Sequence, residues 1–168
     1  MSSNSSNINN IDNILELDRL NISPILEAVG KKFDSHYRRN SIEAEQRQGA
    51  SFITIFRSDL LVAYLEYLPV CRYKWEIMSL QIHPDYQRTG ILRDILAKSF
   101  SILSQHIPIV IKSVTHTSNA RSLVLHRKLG FKIVGQSDDR IFLEANGIAL
   151  YRQLAFFCKK TRLSTKDR

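Results

Sequence analysis

The stretch His83-Pro84-Asp85-Tyr86-Gln87-Arg88-Thr89-Gly90-Ile91-Leu92 decides how this chain is read. An alternating apolar run, Trp75 to Ile82, precedes it. A helical pattern of Ile91, Leu92, Ile95, Leu96, Ser99 and Phe100 follows it. The order is strand, short polar loop with a glycine, helix. The first turn of a helix carries unpaired N–H groups and a partial positive charge, and both favour an anion. A glycine there lets the backbone approach such a ligand without a Cβ in the way. The loop therefore predicts a phosphate-binding turn.

The chain has 168 residues, 43% of them hydrophobic and 24% charged. That predicts a globular protein with one domain over residues 14–158. No apolar run reaches the roughly 20 residues of a membrane helix. The start of the chain lacks the basic and apolar regions of a secretory signal. Residues 1–13 are nearly all Ser and Asn and read as a disordered leader. Cys71 and Cys158 match no metal spacing, and the five histidines include no H-x-x-x-H pair. The expectation is two free thiols in a reducing cytoplasm and no metal.

The net charge is +8. Residues 159–168 form a basic tail, with Lys159, Lys160, Arg162, Lys166 and Arg168 against Asp167. Such a charge suits an anionic partner, either a phosphorylated cofactor or nucleic acid, and weighs against a polycationic small substrate.

Outward from the loop, Ile14 to Leu20 alternates well enough for a first strand. Ser23-Pro24 reads as the start of a helix to about Phe33. Asn40 and Glu43 read as the capping box of a second helix ending near Gly49. Phe52 to Phe56 and Leu60 to Leu68 form a hairpin, with a break over Pro69 to Arg72. A helix from Gly90 to about Gln105 and a buried strand over Pro108 to Thr115 follow. Asn119 then starts a helix that Gly130 stops. A strand begins at Phe131, Asn146-Gly147 signals a turn, and Ile148 to Phe157 reads as a last strand. The sum is an α/β (α+β) class: a mostly antiparallel sheet of six to seven strands flanked by about four helices.

Two motifs in this order resemble those of the GNAT-type N-acetyltransferases. The first is Pro84-x-Tyr86-Gln87-Arg88-Thr89-Gly90-Ile91-Leu92, similar to the family's Gln/Arg-x-x-Gly-x-Gly/Ala loop. The second runs from Asn119 to Gly130-Phe131, with Ser122, Leu125, His126 and Lys128 between. One helix and one strand separate them, as in the family, and the likeness spans roughly Ile14 to Phe157. It implies acetyl-CoA as acyl donor, with the pyrophosphate on the backbone amides of Arg88, Thr89, Gly90, Ile91, Leu92 and Arg93. Gln87 would shape the loop's start, and the Arg88 and Arg93 side chains could pair with phosphate. Leu92 departs from the family's small residue, so its side chain must turn away into the core. Leu80, Gln81 and Ile82 would line the pantetheine arm and the thioester oxyanion. Asn119 would cap its helix and touch the same arm.

The resemblance also names two candidate catalytic residues. Glu76 lies eleven residues before Gln87, the offset of a glutamate that serves some members as base. Period two puts it on a face with Met78, Leu80 and Ile82, where desolvation would raise its pKa. A base is needed because an amine of pKa ~10.4 is only about 0.04% neutral at pH 7. Glu66 and Tyr67 are second choices. His126 stands where the family usually has a tyrosine that protonates the departing thiolate. An imidazole near pKa ~6.5 could do so when protonated, and it could equally only pack.

The implied reaction is acetyl transfer to a primary amine by direct attack in a ternary complex. The acceptor is a small molecule or peptide, with an aminoacyl-tRNA or protein amine as alternatives. A non-catalytic GNAT-fold binding module is the remaining reading. A monomer or a homodimer fits equally.

Overall fold

A computed structural model describes residues 4–88 and 90–164. Five helices and six strands alternate in the order α1 (Asn4–Glu27), α2 (Ser35–Arg47), β1 (Ser51–Arg57), β2 (Leu60–Cys71), β3 (Lys74–Ile82), α3 (Ile91–Leu103), β4 (Val110–His116), α4 (Ala120–Lys128), β5 (Lys132–Ser137), β6 (Arg140–Asn146) and α5 (Gly147–Ser164). A single 3-10 turn, Pro84–Tyr86, lies between β3 and α3. The strands form one mixed sheet in the order β1-β2-β3-β4-β6-β5. β3 and β4 run parallel, whereas β6 is antiparallel to both its neighbours. The expected α/β class is found, with six strands where six to seven were expected and five helices where about four were. No helix among the described residues is long and apolar enough to cross a membrane.

Backbone contacts divide the chain into two units. The first holds residues up to 66 together with 79–95. Its core is Ile11, Ile14, Leu15, Leu17, Ile42, Leu61 and Tyr64, with Phe52 packed against it. Ile11, Ile14, Leu15 and Asp18 are buried at helical spacing, while Asp12, Glu16 and Arg19 are exposed. This corrects the strand expected over Ile14 to Leu20: positions 14, 15 and 17 satisfy a 3.6-residue period once Ile11 is counted with them. The helix also takes in residues 4–13 of the expected leader, whereas residues 1–3 lie outside the described residues. Pro24 stands inside the last turns of α1 rather than opening a new helix. α2 starts earlier than expected. Asp34 is its N-cap and accepts from Tyr37 N at 2.9 Å. Asn40 lies inside the helix and touches His36 instead of capping.

The second unit holds residues 67–78 and those from 96 onward. β2 continues through Pro69 to Cys71, where a break was expected. Ile111, Ser113 and Thr115 of β4 are buried opposite Ala145, Leu143 and Ile141 of β6. This alternation is what one covered sheet face requires. β6 went unseen in the sequence reading, and the strand expected over Ile148 to Phe157 is α5. Leu150 and Leu154, four apart, are buried hydrophobic residues of this helix, and Tyr151 stacks on Phe100 with ring centres 4.7 Å apart. Asn146 caps this helix, accepting from Ala149 N at 3.1 Å, so Asn146-Gly147 is a helix start and not a hairpin turn. Gly147 must lack a side chain, because a Cβ there would lie 1.8 Å from Pro108 O. α5 covers part of the basic tail, and residues 165–168 lie outside the described residues.

Candidate functional site

β3 delivers the chain to the loop. Its ladder to β4 runs from Lys74↔Val110 to Ile77↔Ser113, and β3 continues to Ile82. His83 N donates to Val62 O at 2.8 Å, so the strand's end stays tied to β2. His83 also caps the 3-10 turn, accepting from Asp85 N at 3.3 Å, and its ring meets Tyr86 edge-on. The chain then turns at Gly90, whose φ of +84° favours glycine. A Cβ at Gly90 would meet nothing nearer than Arg93 Nη2 at 3.6 Å, so the constraint there is conformational and not steric crowding.

Asp94 N donates to Gly90 O at 3.1 Å. Ile91, Leu92 and Arg93 therefore form the first turn of α3, whose N–H groups an α-helix leaves without internal acceptors. Ile91 is buried and anchors the turn. Leu92 is half-buried, so its side chain does not fully enter the core as expected. Arg88 and Arg93 are exposed. Asp94 complements the helix N-terminus and is held by Arg57 at 2.7 Å and Arg93 at 3.4 Å. Thr89 lies outside the described residues. The loop thus joins a left-handed glycine, a helix N-terminus and two exposed guanidinium groups, a combination that fits a pyrophosphate.

On β3, Leu80, Gln81 and Ile82 are half-buried. Asn21 of α1 donates from Nδ2 to Gln81 Oε1 at 3.0 Å and to Ile82 O at 3.1 Å. Gln81 in turn donates from Nε2 to Ser79 Oγ at 3.3 Å. These bonds fix the strand's last residues against α1.

Glu76 does not sit in the setting expected of it. Its side chain is 33% exposed and pairs with Lys74 Nζ at 2.6 Å. It stands opposite Lys112, which faces Glu144 at 3.8 Å. Met78, two residues on, is exposed. At Glu76 the face taken for an apolar one carries a cross-strand row of charges, Glu76, Lys112 and Glu144, in contact with solvent.

Two fully buried carboxylates, Asp18 and Glu66, belong to the first unit and gather around one arginine. Arg38 of α2 donates to Asp18 Oδ2 at 2.8 Å, Glu66 Oε2 at 2.8 Å and Glu45 Oε2 at 3.2 Å. Asp18 and Glu66 are fully buried. Glu66 Oε1 has no hydrogen-bond donor. Burial raises Glu66 to about 7 against the pull of Arg38, and the neighbouring Glu45 carboxylate adds to the rise. Burial also raises Asp18, opposed by the bonds from Arg38. The Tyr64 hydroxyl donates to Asp18 Oδ1, and Ser79 Oγ lies 3.1 Å from the same hydroxyl. Sequence reading named Glu66 only as a second choice and missed Asp18, Arg38, Glu45, Tyr64 and Ser79. The available signal was Asp18, an acid four residues after Ile14 on the apolar face of α1.

Asn119 and His126 belong to the second unit. Asn119 caps α4, accepting from Ser122 N at 3.0 Å. His126 is held at both ring nitrogens. Nδ1 faces Ser122 O at 2.8 Å, which can only accept, so Nδ1 carries the proton. Nε2, 3.0 Å from Ser113 Oγ, then accepts from the serine. The ring also meets Phe131 edge-on at 4.9 Å. Burial lowers the pKa of His126 below its ordinary value, so the ring is mostly neutral at pH 7.

The sequence matches the family described as "Acetyltransferase (GNAT) family" over residues 15–131. Among curated proteins no sequence matches this chain. Among solved structures, the chain is similar to the PaiA N-acetyltransferase of Thermoplasma acidophilum in complex with coenzyme A. The identity is 17% and the TM-score 0.65, over 83% of this chain and 94% of that one. It is similar to aminoglycoside 6'-acetyltransferase type Ii at 20% identity and TM-score 0.63, over 87% and 94% of the two chains. It is also similar to the ribosomal-protein-S18-alanine N-acetyltransferase from Escherichia coli, at 15% identity and TM-score 0.61, over 81% and 88%. At these identities the likeness is one of fold.

Proposed function

The chain belongs to the acetyltransferase (GNAT) family, and from that premise we propose that it transfers an acetyl group from acetyl-CoA to a primary amine by direct attack in a ternary complex. The observation that carries this reading is the turn at Gly90. A left-handed glycine at the N-terminus of α3, flanked by Arg88 and Arg93, follows β3 after one 3-10 turn. Backbone amides of Gly90 to Arg93 hold the pyrophosphate, and the two guanidinium groups add charge. The half-buried end of β3, Leu80 to Ile82, takes the pantetheine arm, with Asn21 fixing Gln81 and the Ile82 carbonyl from the other side.

Acetyl-CoA supplies an activated thioester, so no acyl-enzyme is needed. The amine must lose a proton to attack and to end as an amide. Glu76 is not assigned that proton, because it is half-exposed and paired with Lys74. His126 is not assigned the thiolate's proton. It is neutral near pH 7, and its one N–H is engaged by Ser122 O. We assign it instead to joining α4 to β4 through Ser113, while the thiolate leaves unprotonated. Asn119 contributes the start of α4.

Two measurements test the reading: calorimetric binding of acetyl-CoA, and coenzyme A release with amine probes. The probes are an alanyl-terminated peptide, a lysyl peptide and phenethylamine. Binding together with release that depends on one of these amines is the expected result. Binding without release on any amine would point to a module that holds the cofactor and no more.

A further inference from the structure

We infer that Ser79, Tyr64 and Asp18 form a proton-accepting chain that leads from the face of β3 into the first unit, with Asp18 as the site that stores the proton lost by the attacking amine. The inference rests on the acetyltransferase reading above. Every member lies in the first unit. Ser79 is half-exposed on β3, directly before Leu80, whereas Tyr64 and Asp18 are fully buried.

The direction of the hydrogen bonds carries the argument. Gln81 Nε2 donates to Ser79 Oγ at 3.3 Å. Tyr64 has one proton, and it goes to Asp18 Oδ1. The contact of 3.1 Å between Ser79 Oγ and the Tyr64 hydroxyl must then be a bond that Ser79 donates. Both hydroxyl groups therefore donate inward, and the chain ends on a carboxylate. A proton arriving at Ser79 Oγ moves the serine's own proton to Tyr64, and the tyrosine's proton to Asp18. The amine N–H and two O–H bonds break, and three O–H bonds form. The net change is one proton moved from ammonium to carboxylate, and neither hydroxyl becomes an anion.

The surroundings of Asp18 favour that uptake. Arg38 donates to it from α2 and Tyr64 from β2, and Glu45 and Glu66 share the same guanidinium. Three carboxylates share one guanidinium, so the fully ionised cluster carries net negative charge, with Asp18 and Glu66 fully buried and Arg38 and Glu45 only partly reached by solvent. Glu66 Oε1, buried and without a donor, marks the same deficit of protons. Burial raises the pKa of Asp18. The only hydroxyl route from Asp18 toward β3 among the bonds described runs through Tyr64 to Ser79.

The test compares Tyr64→Phe, Ser79→Ala and Ser79→Thr with the wild-type chain in the coenzyme A release assay with the three amine probes. Tyr64→Phe keeps the ring that packs on Phe52 and removes only the hydroxyl. It is expected to lower kcat by about 10²-fold, the lower range for loss of base catalysis, with KM for acetyl-CoA unchanged. The acidic limb of the kcat–pH profile should be lost with it. Ser79→Ala should behave alike, and Ser79→Thr, which keeps a hydroxyl, should restore kcat. If Tyr64→Phe does not fold, the two Ser79 variants decide alone, since Ser79 is half-exposed. Folded variants without the hydroxyl that keep kcat within about two-fold and retain the acidic limb overturn the chain while leaving the acetyltransferase reading intact. A wild-type chain that acetylates none of the probes overturns that reading, and the proton chain with it.

Discussion

Replacing Glu66 by glutamine isolates one buried proton and predicts how stability changes with pH. Glu66 is fully buried, and its pKa lies at about 7 against an ordinary value of 4.5. The folded-state value is the higher one, so the folded chain binds more protons than the unfolded chain between these limits. The stability this group contributes is fully present below pH 4.5 and is lost as the pH rises through about 7. At about 1.4 kcal/mol per unit, the shift corresponds to on the order of 3 kcal/mol. The Glu66→Gln chain lacks this titration but keeps an oxygen that can accept from Arg38 Nη2. Urea denaturation of both chains, from pH 4.5 to about 8, gives the difference in stability at each pH. The wild-type advantage should shrink by about 3 kcal/mol over that range, or by roughly 6–12 °C when read as a difference in Tm. Asp18 titrates in both chains, so its contribution largely cancels in the comparison. Two curves that stay parallel to within about 0.5 kcal/mol would refute the reasoning, because Glu66 would then titrate alike folded and unfolded.

Other expectations follow from single contacts. Arg38→Met leaves Asp18 and Glu66 buried without a cation and should destabilise the chain by about 3–5 kcal/mol in denaturant unfolding near pH 7.5. Glu76→Gln, by contrast, removes only an exposed pair with Lys74; it should change stability by less than about 1 kcal/mol and leave kcat for the amine probes unchanged. Gly90→Asn should bind acetyl-CoA more tightly than Gly90→Val in calorimetry, because asparagine tolerates a positive φ and a β-branched residue does not. His126→Ala should lower the unfolding midpoint by loosening α4 from Ser113, while the kcat–pH profile above pH 7 keeps its wild-type form.

The parts of the molecule legible in the sequence are those governed by local chemistry. Gly90, Asn119 and Gly130 mark ends that backbone geometry dictates, and each stands where its residue type says it should. The hairpin of β1 and β2 was legible from β-branched and aromatic runs around Arg57-Ser58-Asp59. The errors fell where period two and period 3.6 agree over a short window. Ile14, Leu15 and Leu17 fit either period until Ile11 is added, and Leu150 and Leu154 are too sparse to exclude a strand. The misplacement of Glu76 has a different origin. Alternation says which residues share a face, but not whether another layer covers it; Lys112 and Glu144 on neighbouring strands leave that face to solvent. The carboxylate cluster was hidden for a third reason. Asp18, Arg38, Glu45 and Glu66 come from three elements, and only tertiary packing brings them to one guanidinium.

The measurement that bears most directly on the central claim is calorimetric titration of acetyl-CoA into the wild-type chain and Gly90→Val, at low and at physiological salt. The account predicts micromolar binding that weakens as salt screens Arg88 and Arg93, and a loss of affinity of about ten-fold or more in the variant. Absence of binding at millimolar acetyl-CoA, or equal affinity in the two chains, would contradict the assignment of the Gly90 turn as the pyrophosphate site.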